Sequence, residues 1–292
     1  MLLKPDCIPC ILKVSISLIR KLSLTEDAEK DLYAEILKIP ALRGLSWDKT
    51  SPEVIEHVMK KITAAVDNPD PFYSEKFKQN KSVIKQYPIL KQLIEESLDH
   101  LYTAVKLAIL GNSIDFMMSD DPLYFEKSIK EKLETSLSKA LFEEFKARLE
   151  KSKLLLYFGD NAGEIVFDKL LIETIKNQYD LKIVYIVRSI PTLNDATLKE
   201  AKSVGIDRIA SVIENGIGGP LPGTILKRCS NELKELVHRA DLIISKGGGN
   251  FDTLEEETKH LKKITFMLLS KCFPYKNYFG IDLYQPILAN FY

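Results

Sequence analysis

The sequence has no long apolar run, few cysteines and no net charge. No stretch approaches the ~20 apolar residues that a membrane span needs. The opening Met1-Leu2-Leu3-Lys4-Pro5-Asp6 lacks the apolar centre of a secretory signal, so a cytoplasmic protein with no membrane partner is expected. Four cysteines (Cys7, Cys10, Cys229 and Cys272) in 292 residues do not make a disulfide scaffold. Lysine plus arginine (41) balances aspartate plus glutamate (41), which removes any global electrostatic case for nucleic acid. The four histidines (His57, His100, His238 and His260) sit in helical patterns without spaced partners, and the lone Trp47 reads as a core or interface residue. The 45% apolar and 28% charged residues that are present describe a globular chain long enough for one large domain or two ordinary ones.

The first half reads as helix after helix. Ile8, Ile11, Leu12, Ile16 and Ile19 carry helical spacing behind Pro5, Thr25 can cap the next helix, and Ser51-Pro52-Glu53 is a helix start with serine as the cap. A long helix is predicted from Pro88 to Leu110, halting at Gly111-Asn112-Ser113-Ile114-Asp115-Phe116, and a helical pair fills Asp121 to Glu150. The pattern then changes. Apolar strands at 154–158, 183–187, 208–213, 241–245 and 263–269 alternate with helices at 163–177, 195–203, 224–239 and 251–261. Such alternation implies a mainly parallel sheet with right-handed crossovers and helices on both faces. The fold class is therefore α/β, a helical N-terminal part (1–150) followed by a three-layer α/β/α part (151–292). The tail, Phe273 to Tyr292, shows no clear periodicity and is expected to wrap over the sheet or the helical part.

Chemistry is sought where parallel strands end, because ligands of open α/β sheets bind outside the carboxyl ends of the strands. The apolar run Leu154–Phe158 breaks at Gly159 into Asp160-Asn161-Ala162-Gly163-Glu164. The second strand end carries Arg188 through Asp195, the third Glu214-Asn215-Gly216, and the fourth Ser245-Lys246-Gly247-Gly248-Gly249-Asn250-Phe251-Asp252. Asp160, Asn161 and Asp195 offer oxygen ligands only, which suits Mg²⁺ or Mn²⁺ better than tetrahedral zinc. Lys246 at a glycine run supplies a cation where backbone N–H groups can approach an anion. Metal, lysine and amides together are a phosphoryl-handling set. Each piece has a plain structural alternative: Asp195 and Asp252 as helix-start carboxylates, the glycines as a turn, Glu164 as either a first-turn charge or a base beside the metal. Cys7-x-x-Cys10 opens a helix with no strand before it, so buried reduced thiols are expected there.

These motifs, in this order, resemble the damage-control phosphatases, a family formerly known as a domain of unknown function. The resemblance rests on Gly159–Glu164, Asn194-Asp195-Ala196-Thr197 and Ser245–Asp252. It extends to Gly111-Asn112-Ser113-Ile114-Asp115, which is similar to the family's Gly-Asn-x-x-Asp element, and to a Cys-x-x-Cys start found in small archaeal and bacterial members. The resemblance implies a Rossmann-like α/β/α part and metal-dependent hydrolysis of phosphate monoesters of small metabolites, sugar phosphates or damaged phosphometabolites, favouring Mn²⁺, Co²⁺ or Ni²⁺. It carries the metal ligands onto Asp160, Asn161 and Asp195 and a phosphate contact onto Lys246, and it brings Asn112 and Asp115 to the active site. Gly247 and Glu164 join the substrate-binding candidates. Where relatives often have Gln, this chain has Gly248. Asp160 is expected to orient or deprotonate the attacking water. Two other classes are weighed. An S-adenosylmethionine-dependent carboxyl methyltransferase predicts an acid closing the second strand, where this chain has Val187-Arg188. A non-catalytic sugar-phosphate or nucleotide-binding protein predicts metal-dependent binding without turnover.

Overall fold

A computed structural model describes residues 1–112 and 122–292. The helical part opens with α1 (Cys7–Ile19), α2 (Glu26–Leu37) and α3 (Ser51–Ala65). Thr25 caps α2 by accepting from the Ala28 amide. The cap of α3 is Thr50 rather than Ser51, because Thr50 and Glu53 form a reciprocal capping box that Ser51 is one residue too late to make. Ile11, Ile19, Ile36, Val54, Val58 and Ile62 close these three helices into a cluster of their own.

The predicted Pro88–Leu110 helix is two helices, α4 (Tyr73–Glu95) and α5 (His100–Leu110). Pro88 lies inside α4, where it removes one backbone bond, but buried Val83, Leu90 and Ile94 hold the helix on both sides of it. The actual break falls at Asp99, whose carboxylate accepts from the Tyr102 amide and starts α5. Next come α6 (Pro122–Leu133) and α7 (Lys139–Glu150).

The second half runs β1 (Leu154–Phe158), α8 (Glu164–Gln178), β2 (Lys182–Val187), α9 (Leu198–Val204), β3 (Ser211–Glu214), α10 (Asn231–Arg239), β4 (Leu242–Lys246) and α11 (Gly247–Leu254). It ends with α12 (Thr258–Leu261), β5 (Ile264–Leu269), α13 (Phe273–Phe279) and β6 (Pro286–Phe291). Three helix boundaries move. The helix expected from 195 starts at Leu198, capped by Thr197, so Asp195 lies before it. Residues 224–239 are helical chiefly from Asn231, and the glycine run is the first turn of α11 rather than a loop before it. The tail adds a sixth strand, antiparallel to β5 at the sheet edge, whose opening proline and lack of apolar periodicity kept it from announcing itself.

The sheet order is β3-β2-β1-β4-β5-β6. β1 pairs in parallel with β2 on one side and β4 on the other, so successive connections leave it in opposite directions and open a crevice at its carboxyl end. Alternate residues of β1 face opposite layers, as strand geometry requires. Leu155 and Tyr157 join a core with α4, α5 and α8, whereas Leu156 and Phe158 join one with α10 and α11. The first of these cores runs from Val83 to Leu288, so apolar packing passes without a gap from the helical part into the sheet.

Candidate active site

Backbone bonds at the β1 crevice bring two loops together before any side chain is considered. The Ala162 amide donates to the Asn194 carbonyl at 2.8 Å, the Ala196 amide donates to the Asp160 carbonyl at 2.8 Å, and Asn161 opposes Asp195 in an antiparallel bridge. Asp160, Asn161 and Asp195, assembled from two strand ends, therefore share one place. A cavity of about 340 Å³ opens onto them, walled by α1, α3 and the α/β edge.

The carboxylates of this corner are buried and crowded. The Asp160 Oδ2 accepts from Asn161 (2.8 Å) and Asn112 (3.2 Å), and Asn112 also donates to Glu164 at 2.7 Å. Arg188, on the far side, donates through Nε to Asp195 at 2.7 Å and lies 3.5 Å from Asp160. Its Nη1 is spent on Gly223, Thr224 and Asn250. Its Nη2 is buried without a hydrogen-bond partner among the described residues. Burial, then the charges of Asp195 and Glu164, raise the Asp160 carboxyl well above the usual range, against the pull of Arg188 and Lys271. Burial likewise raises Asp195, with Arg188 opposing. A divalent cation would relieve this crowding, and the donors are hard oxygens with Asn161 Nδ2 already committed to Asp160 and Glu164, so the residues fit such an ion. Among the described residues no three acidic, histidine or cysteine side chains converge, so the third protein donor would be an amide oxygen.

Lys246 does not line the cavity. It is fully buried between Glu164 (2.7 Å) and Asp168 (2.6 Å), and Asp168 accepts from Tyr157 and Tyr185, both at 2.7 Å. Burial works against the ammonium, but the two carboxylates outweigh it and raise its pKa. Gly247 adjoins the corner with φ +77°, and a side chain there would strike the Asp160 carboxylate, so this turn admits only glycine. The lysine that does line the cavity is Lys271, which donates to the Asn112 carbonyl. It follows β5, the one strand end left out of the comparison of motifs, and its position there was the available signal. Arg188 was legible as a strand-end residue, but its reach to both carboxylates depends on the turn that follows. Asp115 lies outside the described residues. All four cysteines are free; Cys7, Cys10 and Cys272 line the cavity, and Cys10 is exposed rather than buried because it faces that opening. Trp47 is exposed, its indole N–H donating to Gly44, so it is not a core residue.

A family model described as the damage-control phosphatase ARMT1-like domain matches residues 3–285. An uncharacterized protein of Methanocaldococcus jannaschii is 35% identical over 98% of this chain and 94% of its own length. A damage-control phosphatase of Pyrococcus horikoshii is 37% identical over 70% of this chain and 69% of its own. Another, from Archaeoglobus fulgidus, is 29% identical over 97% of both. The crystal structure of a DUF89 family protein from Pyrococcus horikoshii superposes with a TM-score of 0.89 at 28% identity, covering both chains completely.

Proposed function

Because the chain belongs to the damage-control phosphatase ARMT1-like family, and is thus a metal-dependent phosphatase of damaged metabolites, we propose that Asp160, Asn161 and Asp195 hold its divalent ion. The observation that carries this is the backbone lacing of Asn194–Ala196 to Asp160–Ala162, which unites oxygen donors from two strand ends on one cavity. When bound by Asp160, Asn161 and Asp195, such an ion (Mn²⁺, Co²⁺ or Ni²⁺, with Mg²⁺ also admissible) would supply neutralisation of phosphate charge and a lowered water pKa. Asp160 orients the attacking water and takes its proton. Lys271 and the first-turn amides of α11, beginning at Gly247, receive the phosphate oxygens of a small phosphorylated metabolite. Asn112 donates to the Asp160 carboxylate and is itself held by Glu164, which also accepts from Asn161; Asp115 belongs to the same sequence motif as Asn112. Lys246 acts on the substrate through Glu164, which it orients from below. Four free thiols suit a reducing compartment, and we place the enzyme in the cytoplasm. No helix of the described residues is long and apolar enough to cross a membrane.

Phosphate release from p-nitrophenyl phosphate, with EDTA and then with Mn²⁺, Co²⁺ or Ni²⁺ restored, tests the assignment. Wild-type protein should lose and regain activity, while Asp160→Asn and Asp195→Ala should stay at least ~100-fold down with metal in excess. Full metal-dependent activity in either variant removes the ligand assignment.

A further inference from the structure

The proposed hydrolysis leaves unused one buried acid of the same cavity. Asp252 lines the cavity and is only 7% exposed. Its Oδ1 accepts from the Tyr275 hydroxyl at 3.1 Å, and its second carboxylate oxygen has no partner among the described residues. The nearest cation, the Met1 amine, is turned elsewhere: it donates to the backbone carbonyl of Asp252 and lies 3.7 Å from Glu255. Burial pushes the Asp252 carboxyl up to about 7, with the Met1 amine and Tyr275 opposing. An acid kept in so unfavourable a place, with one oxygen free toward a ligand cavity, is poorly explained as packing.

Its location follows from two consecutive glycines. Gly247 packs on the Asp160 carboxylate, and Gly248 packs on the Tyr275 hydroxyl, where any side chain would collide with that oxygen. The metal corner and the Tyr275–Asp252 pair thus sit against neighbouring residues of one turn, within the span of a small phosphate ester.

We propose that Asp252, held by Tyr275, is a specificity-determining residue that accepts a hydrogen bond from a hydroxyl on the organic part of the substrate. This rests on the phosphatase reading and selects hydroxyl-bearing phosphate monoesters over apolar ones. A substrate hydroxyl supplies the donor that the second carboxylate oxygen lacks, whereas an ester without one covers that oxygen and leaves it unpaired. The measurement is kcat/KM of the Mn²⁺-loaded full-length protein for a pentose phosphate, divided by kcat/KM for phenyl phosphate, which carries no donor. In Asp252→Ala this ratio should fall about 10- to 100-fold, and Asp252→Asn, which keeps an acceptor, should retain it within about threefold. Gly248→Gln should lower the ratio as well, by displacing the Tyr275 hydroxyl. Equal losses on both esters, which a merely structural role would give, leave the ratio unchanged and overturn the proposal. If the wild type hydrolyses neither ester, the phosphatase reading fails on its own. The ratio is then taken from calorimetric Kd values for the two esters, and an unchanged ratio in Asp252→Ala still overturns the subsite.

Discussion

Lys246 separates two pictures of the site, and replacing it with methionine distinguishes them. If the lysine swings out to the phosphate, its loss should raise KM and leave the fold almost untouched. The structure instead puts its Nζ between Glu164 and Asp168, with all three side chains completely buried. Removing one member of such a group strands charge in a medium that cannot solvate it, typically at a cost of about 3–5 kcal/mol. Unfolding entropy near 2.1 cal/mol/K per residue gives roughly 0.6 kcal/mol/K for a 292-residue chain, so Tm should drop by about 5–8 °C. The deficit should also depend on pH. In Lys246→Met the Asp168 carboxyl, already raised by burial, loses the cation that opposes that rise and prefers its protonated form, so the loss is largest at pH 8 and shrinks toward pH 5 as it takes up a proton. Differential scanning calorimetry at both pH values reads this directly. A Lys246→Met protein melting within about 1 °C of wild type at pH 8, with only KM changed, would refute the buried-triad account.

Saturating Mn²⁺ should raise the wild-type Tm by about 4–5 °C at a hundredfold excess over Kd, and the rise should vanish in Asp195→Ala. Asn80 is buried, accepting the Gly163 amide at 2.6 Å and donating to Ser203 at 3.1 Å, so it ties the Asp160 loop to the helix after Asp195. Asn80→Ala should cost about 1–3 kcal/mol in chemical denaturation and weaken Mn²⁺ binding read by electron paramagnetic resonance. Arg188→Lys loses the planar fork shared by Asp195, Gly223, Thr224 and Asn250, and should weaken Mn²⁺ binding although the charge is kept. For Asp252 the folded carboxyl sits near 7 against 3.8, so its contribution is present at low pH and is lost as pH rises through 7. Asp252→Asn should thus unfold at higher urea than wild type above pH 8, by up to about 4 kcal/mol, and show no such gain at pH 4.

Periodicity served the sheet well because buried parallel strands are unbroken apolar runs: Leu154–Phe158 was legible to the residue. It failed where one local preference competed with another. Pro88 reads as a helix start in isolation, yet α4 begins at Tyr73 and passes through it because its apolar face is buried on both sides. The grouping of Asp160, Asn161 and Asp195 was also legible, since strand ends must gather at one edge. What each cation touches was not. Lys246 and Lys271 both follow parallel strands, and only the three-dimensional placement of Glu164 and Asp168 decides that the first is consumed by acids while the second faces the cavity. Chain order cannot distinguish a lysine above the sheet edge from one tucked beneath it.

The change of pattern near residue 150 marks a change of secondary structure but not a seam in the packing. Helices of the first part hold the loops at the carboxyl edge of the sheet in three ways. Asn80 on α4 holds the Gly163 amide; Glu56 on α3, pulled down to about 2 by its bonds to Arg228 and Lys60, clamps the segment after β3 through Arg228 at 2.7 and 2.8 Å. Leu193, two residues before Asp195, adopts φ +45° and packs against the cluster of α1–α3. A left-handed leucine costs roughly 1–2 kcal/mol and persists only where its surroundings impose it. Here the helical cluster does so, which means that the position of the loop carrying the proposed ligand Asp195 is set partly by apolar packing from the other half of the chain. Substitutions in α1 or α3 that never approach a phosphate should consequently alter metal affinity, and a sheet domain expressed without the helices should bind Mn²⁺ poorly even where it folds.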